Sequence, residues 1–175
     1  MVKTIISIEE LKMFGRPIGK MVDDHKLHSF ITEVEMLHIK PVLGDDLYLT
    51  LLDEDPNDER IKLLLEGGIY DTNTYGKEGG RRCFEGLKKT IAYYVYAENV
   101  MSGDFESTRF GMVTTNNNFS THISRNYRSD LYNNVIDKAK GFFDDCITFC
   151  KVSGLIKEKG NSKISVGGCV IRKIG

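Results

Sequence analysis

Between Phe84 and Met101 the chain reads FEGLKKTIAYYVYAENVM, and from Ile91 to Ala97 apolar or aromatic residues fall on nearly every side of a helix. Leu87, Ile91 and Val95 form one stripe with Phe84, and Tyr93, Tyr96 and Val100 form another. A helix with two apolar stripes needs neighbours on two sides, which excludes a single amphipathic surface helix. The expected fold is therefore mainly α: a helical bundle around a long central helix.

A second long helix is predicted from about Ser129 to Val152. Leu131, Val135, Ala139, Phe142, Cys146 and Phe149 recur at a spacing of three to four residues, flanked by Tyr132, Ile136, Phe143 and Cys150. Shorter helices precede the central one. Ser7 and Glu10 have capping-box spacing and open a helix running to about Phe14. Asp23 or Asp24 starts the next, with a buried stripe of Leu27, Phe30, Ile31, Val34, Leu37 and His38, and Pro41 is expected to stop it. Leu47–Leu52 and the segment after Asn57 or Asp58 read as two further short helices, the latter closed by glycine.

The remaining segments lack helical periodicity. Residues 67–82 are rich in glycine and polar residues and read as a surface loop. The stretch GDFESTRFGMVTTNNNFSTHIS reads as loop with an extended piece at Met112–Thr115. At the C-terminus two alternating runs flank Gly167-Gly168, the pattern of a β-hairpin. The expected organisation is a helical domain over residues 1–158 and a C-terminal hairpin arm over 159–175.

At 175 residues, 41% of them hydrophobic and 28% charged, with a formal net charge of -1, the chain suits one globular domain without a global field for nucleic acid or anionic membrane. No apolar run reaches the roughly 20 residues of a membrane span, and the first residues lack a signal-peptide pattern, so no export and no membrane partner is expected. The cysteines, Cys83, Cys146, Cys150 and Cys169, form no C-x-x-C pair and read as reduced, with Cys146 and Cys150 one helical turn apart in the core pattern.

Catalytic motifs are sparse. Glu35 and His38 have the Glu-x-x-His spacing of di-iron bundles, but no second copy accompanies them. Asp23, Asp24, His25 and His28 hold a single H-x-x-H, a weak zinc signal that a solvated helix start with acidic caps explains. Phosphate-binding, dinucleotide-binding, nucleophile-elbow and zinc-protease signatures are missing from the sequence. The reading is thus no catalytic residue, no metal and no cofactor. Arg81, Arg82, Arg109, Arg125 and Arg128 are local basic spots suited at most to a sequence-independent contact with passing DNA.

The order of four blocks adds to this reading: Ile39-Lys-Pro-x-Leu-Gly44, the Leu-Leu-x-Gly-Gly-x-Tyr70 run, Gly86-Leu87 opening the tyrosine-rich helix, and Thr108-x-Phe-Gly111. Over about residues 30–150 the series resembles head-to-tail connector proteins, also called adaptor or neck-ring proteins, of tailed bacteriophages, including the crAss-like phages. The resemblance implies a non-catalytic virion subunit, assembled in the host cytoplasm into a ring, usually dodecameric, below the portal protein. Such a ring joins capsid to tail, extends the DNA channel and docks the next neck or tail component.

On that basis Tyr93, Tyr96 and Val100 are expected at a subunit interface, or else the tyrosines stay within the core of their own bundle. Ile164, Val166, Val170 and Ile171 of the hairpin arm are expected to pair with an adjacent subunit or the portal by β-augmentation, or else to pack on their own bundle. Arg81 and Arg82 are candidate DNA-channel contacts, and the loop that carries them a candidate inter-protein contact. The alternatives are a tail-completion or terminator ring protein, a metal-dependent helical enzyme using Glu35 and His38, and a small DNA-binding regulator.

Overall fold

The structure is a computed structural model and describes residues 3–18, 22–53, 58–102, 105–108, 111–114 and 125–156, with side chains of 105–108, 111–114 and 125 left aside. Element order is α1 (Ile8–Phe14), α2 (Asp24–Val34), a π-helical turn (Glu35–Ile39), α3 (Lys40–Leu43), α4 (Asp45–Leu51) and α5 (Glu59–Glu66). There follow β1 (Gly68–Asp71), a 3-10 turn (Thr72–Tyr75), β2 (Arg81–Phe84), α6 (Leu87–Ser102), β3 (Phe105–Thr108), β4 (Gly111–Thr114) and α7 (Arg125–Val152). The fold is mainly α with long central and C-terminal helices, as the periodicity predicts. The expected C-terminal hairpin, with Ile164, Val166, Val170 and Ile171, lies outside the described residues, as does Cys169.

Helix α6 is the axis of the core. It buries Leu87, Thr90, Ile91, Ala92, Tyr94, Val95 and Ala97, and α1, α2, α5 and α7 all pack on it. Helix α7 is its main neighbour and contributes Val135, Ile136, Ala139, Phe143, Cys146, Phe149 and Cys150 to the same core. Covering from several sides is what an apolar helix without a polar face requires. Of its three tyrosines, only Tyr94 is buried, whereas Tyr93 and Tyr96 are half-buried.

Local signals hold for the helix starts. Glu10 N–H donates to the Ser7 hydroxyl at 3.2 Å and Ser7 N–H donates to the Glu10 carboxylate at 2.9 Å, a reciprocal capping box. Asp23 and Asp58 cap α2 and α5 by accepting from the amides of His25 and Arg60. Each side chain satisfies an amide that the first turn leaves without a helical partner.

Three expectations are corrected. Pro41 does not end the α2 segment. The chain passes through the π turn, where Lys40 N–H donates to the Glu35 carbonyl, and Pro41 sits in the first turn of α3, where a missing N–H costs little. The segment ends instead at Gly44, whose φ of +85° suits glycine.

Second, residues 67–82 are not irregular throughout. Gly68, Ile69, Tyr70 and Asp71 pair antiparallel with Phe84, Cys83, Arg82 and Arg81. Phe84 therefore belongs to a strand, and α6 starts at Leu87 rather than Phe84. A two-stranded ribbon is marginal alone. Here Tyr70 and Phe84 anchor it, their rings each 4.9 Å from the ring of Phe149 on α7 and 5.6 Å from each other.

Third, the stretch after α6 contains a strand pair rather than one extended piece. Thr108 pairs with Gly111, so the Thr108-x-Phe-Gly111 block is the closed end of β3–β4; Arg109 and Phe110 lie outside the described residues.

Candidate functional site

The π turn rearranges the face that sequence spacing assigns. A π turn carries one more residue than an α turn, so the residues after it rotate relative to the stripe before it. Glu35 and Ile39 turn inward and are fully buried, and Leu37, expected in the buried stripe, is 69% exposed. Val42 at 50% and Leu49 at 61% exposure follow on α3 and α4, with Met36 at the margin. Four apolar side chains within fourteen residues thus face outward on consecutive elements.

The carboxyl of Glu35, on the same turn, is buried. Ile5 N–H donates to Glu35 Oε1 at 2.8 Å and Tyr48 Oη–H donates to Glu35 Oε2 at 3.0 Å, with the Ile6 amide also directed at the carboxyl. Burial dominates and raises its pKa to about 7, against the smaller opposing effects of Tyr48 and the two amides. The Tyr48 hydroxyl is in turn pushed upward by burial and by the Glu35 charge. The carboxyl thus joins the segment before α1, the π turn and α4.

This arrangement separates the Glu-x-x-His pair. The His38 ring stacks on Tyr94 with centroids 5.0 Å apart and an interplanar angle of 8°, while the Glu35 carboxyl is occupied by Ile5 and Tyr48. Among the described residues no group of three or more His, Cys, Asp or Glu side chains is placed to hold a metal ion. Asp23 serves as a helix cap, and Asp24 pairs with Lys12 at 2.7 Å.

The tyrosines singled out on α6 have partners within the chain. Tyr93 meets Phe142 edge-on at 5.1 Å, and the Arg16 guanidinium lies 5.7 Å from the ring centroids of both Tyr93 and Tyr96. Arg16 therefore covers part of the face expected to be open. Val100 is half-buried, and Met101 beside it is 44% exposed.

Arg81 and Arg82 are both exposed on β2, opposite Asp71 and Tyr70. Arg82 is engaged with the Tyr70 hydroxyl, whose pKa burial raises and Arg82 opposes. The ribbon therefore presents Arg81 more freely than Arg82. Ile69 is 62% exposed on the same ribbon, opposite the exposed Cys83.

Sequence spacing missed the outward apolar set at Leu37, Val42 and Leu49, because nothing in a 3.6-residue period announces a π turn. The one available signal was a glutamate, Glu35, interrupting a core stripe.

Residues 39–153 match a family of unknown function, DUF6712. The chain belongs to that family. The match spans α3 to the end of α7 and takes in Tyr48, the β1–β2 ribbon and the paired long helices; α1, α2 and Glu35 precede the DUF6712 span. No curated protein matches the chain, and neither does any solved structure. No helix among the described residues of this DUF6712 protein is long and apolar enough to cross a membrane.

Proposed function

We propose that this DUF6712 protein is a structural subunit of a phage neck, acting by assembly into a ring below the portal and leaving an axial channel for DNA. The observation that carries the reading is the outward apolar set Leu37, Val42 and Leu49, three large apolar side chains exposed on consecutive elements. Large apolar side chains left exposed on consecutive elements are the material of a contact surface. The order of the sequence blocks favours a neck connector over other assemblies.

In this reading the outward face meets a second copy of the chain, the β1–β2 ribbon and the C-terminal segment reach a portal or tail component, and Arg81 offers a weak contact to passing DNA. Tyr93 and Tyr96 act at the edge of the interface, since Arg16 and Phe142 already cover part of their rings. A formal net charge of -1 suits a conduit, because strong phosphate neutralisation would make DNA binding tight and salt-dependent rather than sliding. The ring works without catalytic groups, metal or cofactor, and its place is the virion neck.

Light scattering on the purified chain, alone and mixed with the portal protein of the same phage, tests the proposal. Co-migration in a complex of defined stoichiometry is expected. A chain that stays monomeric and ignores the portal overturns it, and a ring that docks only on a tail tube reassigns it to a tail terminator.

A further inference from the structure

The segment Lys3–Ser7 leads into α1 as a short strap, and what it covers is the Glu35 carboxyl. Ile6 is fully buried, Ile5 nearly so, and Thr4 Oγ1 donates to the Ile6 carbonyl at 2.9 Å, which stiffens the strap where it crosses the π turn. The Ile5 and Ile6 side chains pack into the core, and the strap's polar contact with the carboxyl is made by backbone amides alone.

We propose that Glu35 is a proton-operated latch for this strap: the protonated carboxyl keeps Lys3–Ser7 docked over the π turn, and ionisation favours lifting of the strap so that water reaches the carboxylate. Both states can be hydrogen-bonded. With the proton on Oε2, the carboxyl donates to the Tyr48 oxygen, while Oε1 still accepts from Ile5 N–H. With the proton gone, Tyr48 and the amides donate to an anion whose burial outweighs their stabilisation.

The surroundings bear this out group by group. On α4, Tyr48 is the hydroxyl in contact, while Asp45 lies at the surface and pairs with Lys40 of α3 at 3.4 Å. On the π turn His38 is committed to the Tyr94 ring of α6. On α2 Glu33 is exposed and pairs with Ser29, and on the strap Lys3 is exposed. Burial, Tyr48 and the Ile5 and Ile6 amides set the carboxyl's state, and burial outweighs the rest.

A group whose pKa is higher in the closed state than in the open one stabilises closure fully below its ordinary value, 4.5, and loses that contribution as pH rises to about 7. The latch is independent of whether the chain builds a ring.

Hydrogen exchange on the full chain tests it. Protection factors of the Ile5 and Ile6 amides should fall by about tenfold per pH unit between pH 5 and 7 and level off above, and in Glu35→Gln they should not change with pH. Equal wild-type protection at pH 5 and pH 8, or the same fall in the Gln variant, overturns the latch. If Glu35→Gln does not fold, the carboxyl carbon of Glu35 in wild type decides by its NMR titration. A midpoint near 7 supports the latch, and a midpoint at or below 4.5 overturns it.

Discussion

Gly67 and Gly86 meet backbone to backbone where the β1–β2 ribbon opens into α5 and α6. A Cβ on Gly67 would lie 2.5 Å from the Glu85 carbonyl carbon and 2.6 Å from Gly86 N, and a Cβ on Gly86 would lie 2.5 Å from the Glu66 carbonyl carbon. Both glycines also hold positive φ, +78° and +83°. The ribbon and the core helix start from one shared crossing point that only glycine fits.

Alanine at either position combines backbone strain with a clash against main-chain atoms that have no rotamer to yield. Gly86→Ala and Gly67→Ala are each expected to lose about 2–4 kcal/mol of stability. Gly76, at φ +69° with open space around it, carries strain alone, so Gly76→Ala should lose about 1–2 kcal/mol. Urea unfolding of the three variants checks the order; equal losses at all three would show that the close approach does not matter.

Much of this architecture is legible in sequence where one residue type has one local role. Ser7 with Glu10, Asp23, Asp58 and the stripes of α6 and α7 predict elements that the structure contains within a few residues. Two of the failures share a cause, a decisive partner distant in sequence, and a third is local. Residues 67–82 read as loop because only Tyr70 and Phe84 of the ribbon are anchored, and their anchor is Phe149 on α7. Leu37 reads as core because a π turn shifts the face without changing the local spacing. Glu35 reads as half a metal motif because its partners, Ile5 and Tyr48, come from segments on either side of α2 and the π turn.

The described cysteines should divide by reactivity. Burial pushes the Cys146 and Cys150 thiols up to about 12, and Cys146 lies 3.7 Å from the Thr90 hydroxyl in the α6–α7 core, whereas Cys83 is exposed on β2. The thiolate is the nucleophile, so iodoacetamide at pH 8 should label Cys83 well before Cys146 and Cys150, with the latter two reacting fully only after denaturation. Peptide mass spectrometry reads the order directly. Rapid labelling of Cys146 in the native chain would contradict the packed α6–α7 seam.

Leu37 and Leu49 separate assembly from folding. Their side chains are mostly in solvent, so Leu37→Ser with Leu49→Ser should change the stability of the isolated chain by no more than about 0.5 kcal/mol per site. If this face meets a second copy, the double variant should shift the ring or portal complex toward free subunits by tenfold or more, about 1.4 kcal/mol. Light scattering beside thermal unfolding distinguishes the outcomes: unchanged assembly removes this face from the interface, and a large loss of stability means it is covered within the chain.

Lys88 ties three helices together. Its side chain is 14% exposed, and its ammonium pairs with Glu10 of α1 at 2.6 Å and with Glu66 of α5. Burial alone would raise the Glu10 carboxyl, but the Lys88 hydrogen bond and the Ser7 cap outweigh it and hold it below the usual carboxylate range. A carboxyl held low contributes stability above its ordinary pKa and loses it as pH falls through the lowered value, opposite in sign to Glu35. Lys88→Met keeps the stem's packing and leaves two carboxylates without their cation, so it should cost about 1–3 kcal/mol at pH 7. That cost should shrink as pH falls through the lowered Glu10 value, where protonation of that carboxyl reduces the need for a counter-charge. Urea unfolding of wild type and variant at pH 7 and pH 3.5 measures the difference, and a cost that is the same at both would make Lys88 a packing residue rather than the electrostatic tie between α1, α5 and α6.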